Sequence, residues 1–435
     1  MLCKFRESVM SKLVLALYSA VMWCAQPFLR LKLARRGRAE PGYLVNIEER
    51  FGRYQQPAVQ NPTQDPQFMW IHAVSLGETR AAAVLIAALR DRLPGMKLLL
   101  THGTATGRAE GEKLLRAGDV QVWQAWDSAA ATERFVQHFQ PRMGIMMETE
   151  LWPNMAATCA KHHLPLVIAN ARMSEKTYLQ TKKLDGLART AYASLTAIWP
   201  QSSADADRFT KLGAPVAGIF GNLKFDALVD EAQLAMGKNW RLKTRKPVVM
   251  FASSREGEEM QLLQYLEKTA TKVQWLIVPR HPQRFADVET LITQHGFKVS
   301  KRSDWLEQPD ITDENTIWLG DSLGDMALYY GLSDLALLGG SFEPLGGQNL
   351  IEAAACACPV VMGPSVFNFS EAAALAVKAG AAFAVNSMPQ AVDAACVLVE
   401  NAANLDVRRV AALQFANAHQ GAAEKTAAAV VQLLS

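Results

Sequence analysis

Short apolar runs bounded by Gly, Pro, Asn or Ser alternate with helix-length stretches through nearly all of the 435 residues. In the first half the runs are FMWIHAV, KLLLTHG, VQVWQAW, MGIMMET, LPLVIAN, LTAIWPQS and PVAGIFGN; in the second they are PVVMFASS, VQWLIVPR, TIWLGD, LALLGG and PVVMGP, with AAFAV weaker. Several are continuously apolar, which predicts strands covered on both faces, and their spacing predicts parallel βαβ units. A chain this long exceeds one ordinary core. The fold class expected is α/β: two Rossmann-like doubly wound domains facing a cleft, where the C-terminal edges of two sheets would hold a nucleotide on one side and an acceptor on the other. The rhythm breaks in the polar segment DALVDEAQLAMGKNWRLKTRKP. The expected organisation is an N-terminal segment 1–38, a first domain 39–225, a linker 226–246, a second domain 247–411 and an alanine-rich C-terminal helix 412–435.

Half of the residues are hydrophobic and a fifth charged, as in a globular protein. The net charge of +3 gives no basis for nucleic-acid binding by the surface as a whole. Six cysteines without a CxxC pair read as reduced thiols. From Leu13 to Leu29 the chain is uncharged, then turns basic through Arg30, Lys32, Arg35, Arg36 and Arg38. That run is close to the lower limit for a membrane-spanning helix, about 17 residues. It offers only a poor small-residue cleavage site, followed by arginines, so a signal anchor or an interfacial helix with its basic flank against anionic headgroups is expected.

Candidate chemistry lies at the ends of the apolar runs. In HAVSLGE, Ser75 and Glu78 have the spacing of a capping box, yet a carboxylate at a strand-to-helix turn also stands where open α/β sheets bind ligands and can act as a base. Glu148 and Glu150 are two residues apart and share a side if the chain is extended, as acceptor contacts or orienting groups. In NARMSEKT, Arg172, Ser174 and Lys176 suit anionic groups, with an N-cap at Ser174 as the alternative. In LGGSFEPLGGQNLIEAAACACPVVMGP, two glycine pairs lead into a helix starting near Asn349, with Glu352 in its first turn. Close backbone approach and free amides favour a phosphate there, and the acid can accept from ribose hydroxyls. Pro279, Arg280 and His281 follow another strand, and Ser322 to Asp325 form a further turn. No HExxH or DxD motif marks a metal site.

Together HAVSLGE, ETELWPN, NARMSEK, FGNLKFD, PRHPQR and GGSFEPLGGQNLIEA closely resemble, in order and spacing, the 3-deoxy-D-manno-octulosonic acid (Kdo) transferases of lipopolysaccharide synthesis. The likeness runs from about Glu48 to Pro364 and includes the N-terminal anchor. It implies an inverting glycosyltransferase of the two-Rossmann-domain type called GT-B, needing neither metal nor cofactor. The implied reaction moves Kdo from CMP-Kdo to the lipid A precursor, lipid IVA, at the cytoplasmic face of the inner membrane; no nucleic acid is a partner. By resemblance the general base is Glu78, and CMP contacts fall on Pro279 and Arg280, on Leu323, Gly324 and Asp325, and on Asn349, Leu350, Ile351 and Glu352. Glu148, Glu150, Arg172 and Ser174 are expected near the acceptor or the transition state. The turn LGD and Arg255 in ASSREGEE depart from the family pattern. The helix dipole is expected to keep Glu78 ionised. A UDP-sugar transferase or epimerase of the same architecture, or a catalytically silent membrane scaffold, are the alternatives.

Overall fold

A computed structural model describes residues 2–59, 68–226, 229–269, 272–306, 308–309 and 315–435, with side chains from Leu13 onward. Two compact units divide the chain: Met1–Asp226 with Gln420–Ser435, and Ala227–His419.

The first unit holds a six-stranded parallel sheet in the order β3-β2-β1-β4-β5-β6. Its strands are β1 (Phe68–His72), β2 (Lys97–His102), β3 (Val120–Trp123), β4 (Met143–Met147), β5 (Leu166–Ala171) and β6 (Ala197–Pro200). The central strands are buried at every position, because side chains alternate between two cores: Phe68 and Trp70 pack with Phe135 on one face, Met69 and Ile71 with Leu85 on the other. The run PVAGIFGN, expected as a further strand, contributes only an isolated bridge from Val216 to Ile198. Pro215 lacks a donor, and Gly218 and Gly221 turn the chain at positive φ.

The second unit holds a seven-stranded parallel sheet in the order β13-β12-β11-β7-β8-β10-β9. These are β7 (Val248–Ser254), β8 (Gln274–Pro279), β9 (Lys298–Lys301), β10 (Thr316–Leu319), β11 (Leu335–Leu338), β12 (Val360–Met362) and β13 (Ala382–Ala384). Strand β9 was not expected: it is an edge strand, KVSK, without the apolar run that marks its neighbours. In each sheet the chain order reverses once, between β1 and β4 and between β7 and β11. Ligands of open α/β sheets bind beyond the carboxyl ends at such points.

The segment expected as a linker contains the helix Glu231–Lys243, which packs within the second unit against the helix Met326–Leu332. Two glycines permit the crossing: a Cβ on Gly237 would lie 2.1 Å from the Leu328 carbonyl oxygen, and one on Gly331 2.5 Å from that of Leu234. Ala227 and Leu228 of that segment lie outside the described residues. The alanine-rich end is two helices rather than one, Ala402–Ala418 and Ala422–Leu434. The second returns to the first unit, where Ala423, Ala427 and Val430 join the core around Ile71. Asp226 caps it, accepting from Gly421 N at 2.5 Å and Ala423 N at 2.6 Å.

The N-terminal helix, Leu2–Ala39, continues through Pro27 and lies against the first unit. Its Leu33 is buried, Arg30 pairs with Glu48 at 2.8 Å and covers the Phe51 ring, and Arg36 covers Tyr43. Leu13, Leu17, Val21, Phe28 and Leu31 are exposed on the other side.

Candidate functional site

Beyond β1 the chain turns through Ser75 into the helix Leu76–Arg92. The Ser75 hydroxyl accepts from Glu78 N at 3.4 Å, while the Glu78 carboxylate accepts from Val74 N at 2.6 Å and from the Ser75 hydroxyl at 3.3 Å. The Ser75 cap therefore exists, but the reciprocal bond of Glu78 goes to Val74 N, one residue before the N-cap, rather than to Ser75 N as in a capping box. Those bonds and the helix dipole favour the charged form, yet burial, then the neighbouring Glu148 charge and more weakly that of Glu150, push the Glu78 carboxyl up to about 7. The expectation of a fully ionised acid is corrected: desolvation and like charge outweigh the dipole.

Glu148 follows β4 with φ at +59°, so it is left-handed, and the expected extended arrangement with Glu150 does not occur. Non-glycine residues adopt this conformation at a cost of about 1 kcal/mol or more when surroundings impose it. Here Glu148 N donates to Ala169 O at 3.0 Å, Arg172 N donates to Glu148 O at 3.3 Å, and Lys224 Nζ lies 3.3 Å from the Glu148 carboxylate. Burial pushes the Glu150 carboxyl up, against a smaller opposing effect of the Trp152 indole. Thus three carboxyl groups, with one lysine against Glu148, gather beyond β1 and β4 where the first sheet reverses its order.

His72, the last residue of β1, is buried beside this group, its ring edge-on to Trp152. The Trp70 indole donates to Thr101 Oγ1 at 2.8 Å, and that hydroxyl lies 2.9 Å from His72 Nδ1. Burial, then His102, hold His72 down to about 3, so it is neutral. Arg172 is exposed, and Ser174 caps the helix Glu175–Lys182 by accepting from Thr177 N at 3.1 Å. The cap reading of Ser174 is the one its contacts support.

In the second unit β7 and β8 end in Ser254-Arg255 and Pro279-Arg280-His281. Burial, then the charges of Arg255 and Arg280, hold the His281 imidazole below its ordinary value, so two guanidinium groups converge here. Arg280 Nε donates to Gln348 Oε1 at 3.2 Å, tying the strand end to the glycine loop. The fully buried Glu258 shapes that loop, accepting from Arg255 N at 2.9 Å, Gly340 N at 2.8 Å and Phe342 N at 2.9 Å. Gly339 has no room for a side chain: a Cβ would lie 2.2 Å from Ser253 O. Arg284 is spent on Glu259, with its two terminal nitrogens at 2.7 and 3.2 Å from the carboxylate. Asn349 caps the short helix Leu350–Ala355 by accepting from Ile351 N, which puts Glu352 in its first turn. Leu323 and Gly324 lie in the turn after β10, and Asp325 accepts from Ser322 Oγ at 2.7 Å. All of these groups stand at carboxyl ends of strands in one sheet.

A family profile described as 3-deoxy-D-manno-octulosonic-acid transferase (kdotransferase) matches residues 45–227. The chain is 39% identical over 421 residues to the 3-deoxy-D-manno-octulosonic acid transferase of Bordetella pertussis, covering 94% of this chain and 97% of the relative. The chain belongs to the Kdo transferase family. The enzyme of the same name from Haemophilus influenzae is 31% identical over 386 residues, covering 87% of this chain and 88% of its own. A glycosyltransferase structure from Rickettsia africae, 12% identical, overlays with a TM-score of 0.55 and covers 85% of this chain and 98% of its own, which shows the shared GT-B fold.

This Kdo transferase thus carries its acidic site in the unit that the family profile covers. Sequence reasoning had not singled out Lys224, although it lies within FGNLKFD; its partner Glu148 is 76 positions away, and only the fold joins them. Glu258, the organiser of the glycine loop, was also missed. An acid directly after Gly257 reads as a first-turn residue, and nothing local signals the loop at 340–342.

Proposed function

We propose that this Kdo transferase uses CMP-Kdo as donor and a lipid A precursor, lipid IVA, as acceptor, and inverts the anomeric centre without metal or cofactor. Glu78 takes the proton of the acceptor's primary hydroxyl as its oxygen attacks the anomeric carbon. The C–O bond to the CMP phosphate breaks on the opposite face, and CMP leaves with the electron pair. The observation that carries this reading is Glu78 itself, a carboxyl held near neutrality beyond β1 among Glu148, Glu150 and Lys224. A base whose affinity for protons matches ambient pH is the efficient one. Lys224 opposite Glu148 offsets negative charge as the reaction proceeds. Arg255 and Arg280 offer the phosphate of CMP the cationic contacts that a divalent metal would otherwise supply. Pro279, Leu323 to Asp325 and Asn349 to Glu352 line the same strand ends.

Acceptor chemistry and the N-terminal helix agree. A bisphosphorylated lipid lies in a membrane surface, and the helix presents an exposed apolar stripe with Lys32, Arg35 and Arg38 exposed at its basic end. We infer that the helix lies on the cytoplasmic face of the inner membrane rather than crossing it, a reading supported by the hydrogen bonds that Tyr18 and Ser19, within the apolar run, make to Asp127 and Asn154 of the first unit. Transfer from fresh CMP-Kdo to lipid IVA by the full-length protein, read by product mass, tests the reading. Added Kdo in the wild type and none with Glu78→Gln, which still binds CMP, is the expected result. Binding of UDP in preference to CMP would overturn the donor assignment, and full activity of the variant would overturn the base.

A further inference from the structure

Through two hydroxyl groups the N-terminal helix bonds Asp127 and Asn154, next to the segment that carries Glu148 and Glu150. Tyr18 hydrogen-bonds the Asp127 carboxylate, and Ser19 Oγ donates to Asn154 Oδ1 at 2.6 Å, with Leu15 O also in reach at 2.8 Å. Asn154 is fixed in orientation, since its Nδ2 donates to Asp127 O at 2.6 Å. Asp127 in turn accepts from Asn154 N at 3.0 Å and Met155 N at 2.8 Å. These are free amides at the start of the helix Pro153–Lys161, whose own N-cap, Trp152, supplies no side-chain acceptor. Asp127 is therefore a cap delivered from another loop, and it is buried, its charge stabilised by these two amides and the Tyr18 hydroxyl.

The segment between β4 and that helix, residues 148–152, carries Glu148, Glu150 and Trp152. One end is held by Ala169 O and Lys224, the other by Asp127 and its partners. We propose that Tyr18 and Ser19 are positioning residues for transfer: through Asp127 and Asn154 the membrane helix sets where Glu148 and Glu150 stand relative to Glu78. The proposal rests on the reading that these carboxylates serve the acceptor side of the reaction. Residues 1–38 are then a working part of the site rather than a removable tether. The stripe Leu13, Leu17 and Val21 lies on the opposite side of the same turns, so seating the helix on a membrane and holding the acidic segment are coupled through one rigid element.

The test is steady-state kinetics of the full-length protein in detergent with CMP-Kdo and lipid IVA, comparing wild type, the double variant Tyr18→Phe with Ser19→Ala, Ser19→Thr, and Glu150→Gln. A displacement of the carboxylates by about 1 Å costs on the order of tenfold to a hundredfold in rate. The expected result is a fall of that size in kcat for the double variant, a shift in the acidic limb of its pH profile and an unchanged KM for CMP-Kdo. Ser19→Thr, which keeps the hydroxyl, retains most of the rate. A double variant with lowered melting temperature but wild-type kcat and pH profile would overturn the proposal, as would a loss that follows CMP affinity. If wild type transfers nothing to lipid IVA, or Glu150→Gln is fully active, the underlying reading fails instead.

Discussion

Glu78 and Glu148 stand beyond β1 and β4, the two strands between which the first sheet reverses its order, and after burial it is the Glu148 charge that most raises the proton affinity of Glu78. The proposed base is thus tuned by a residue 70 positions away in the chain. In a general base the deprotonated form is active, so kcat/KM is predicted to rise with pH through about 7 and then level. Glu148→Gln removes the repelling charge, and the acidic limb moves to lower pH even where the plateau falls. A limb that stays near 7 in the variant would show that burial alone sets the affinity.

The same shift predicts a stability effect at Glu78. Its carboxyl titrates near 4.5 in the ordinary state and at about 7 when folded, so the fold binds this proton more tightly than the unfolded chain. That contribution is present in full below 4.5 and is lost as pH rises through about 7. Glu78→Gln is therefore predicted to melt higher than wild type at pH ~8 and equally at pH ~4, each kcal/mol gained shifting the transition by about 2–4 °C. Transfer falls by about a hundredfold or more. Thermal melts at the two pH values check the sign; a variant less stable at high pH would show that the capping bonds to Val74 and Ser75 dominate.

Arg280 links β8 to the glycine loop through Gln348 and shares its surroundings with Arg255. Arg280→Ala is predicted to weaken CMP binding by about tenfold or more, the range of a charge-assisted contact. Arg280→Lys restores little of it, because an ammonium lacks the planar fork. Calorimetry with CMP at two salt concentrations measures both. Equal affinity in Arg280→Ala would place the phosphate elsewhere.

Both sheets were legible in the sequence because each buried strand is a continuous apolar run; β9 was not, since a sheet edge imposes no such run. Ser75 and Glu78 announced a capped turn, but nothing local could tell that the acid is desolvated beside Glu148. That fact belongs to the fold, as do the pairing of Lys224 with Glu148 and the service of Asp127 as cap to a helix starting 26 residues later. The polar stretch 226–246 misled for a related reason. Gly237 lies in that stretch, and its missing side chain is what lets two helices touch.

That crossing predicts an asymmetric pair of glycine substitutions. Gly237→Ala drives a methyl into the Leu328 carbonyl, a backbone atom that cannot step aside, and is predicted to cost about 2–3 kcal/mol or more. The helix Met326–Leu332 begins directly after Asp325, so CMP affinity falls with it. Gly186→Ala, on the helix Asp185–Ala193 with open space around the new methyl, is predicted to stabilise by about 0.5–1 kcal/mol. Denaturant titrations of the two variants make the comparison; a tolerated Gly237→Ala would mean that the two helices separate without consequence.

The N-terminal stripe yields a prediction about depth. Cys24 is exposed and lies along the helix between Val21 and Phe28, on the side that carries the stripe. If the helix lies in the interface, a spin label on Cys24 in anionic vesicles sits about 5–10 Å below the headgroups. If it crosses the bilayer, the same label lies close to the midplane, about 15 Å from either edge of the hydrocarbon. Leu17→Asp combined with Phe28→Ser, both on the exposed side, is predicted to release the protein into solution with its melting temperature and CMP affinity intact. High salt weakens the residual binding by screening Lys32, Arg35 and Arg38. A midplane depth would place the helix across the bilayer, and the bonds of Tyr18 with Asp127 and of Ser19 with Asn154, which lie within the apolar run, would then have to break on insertion.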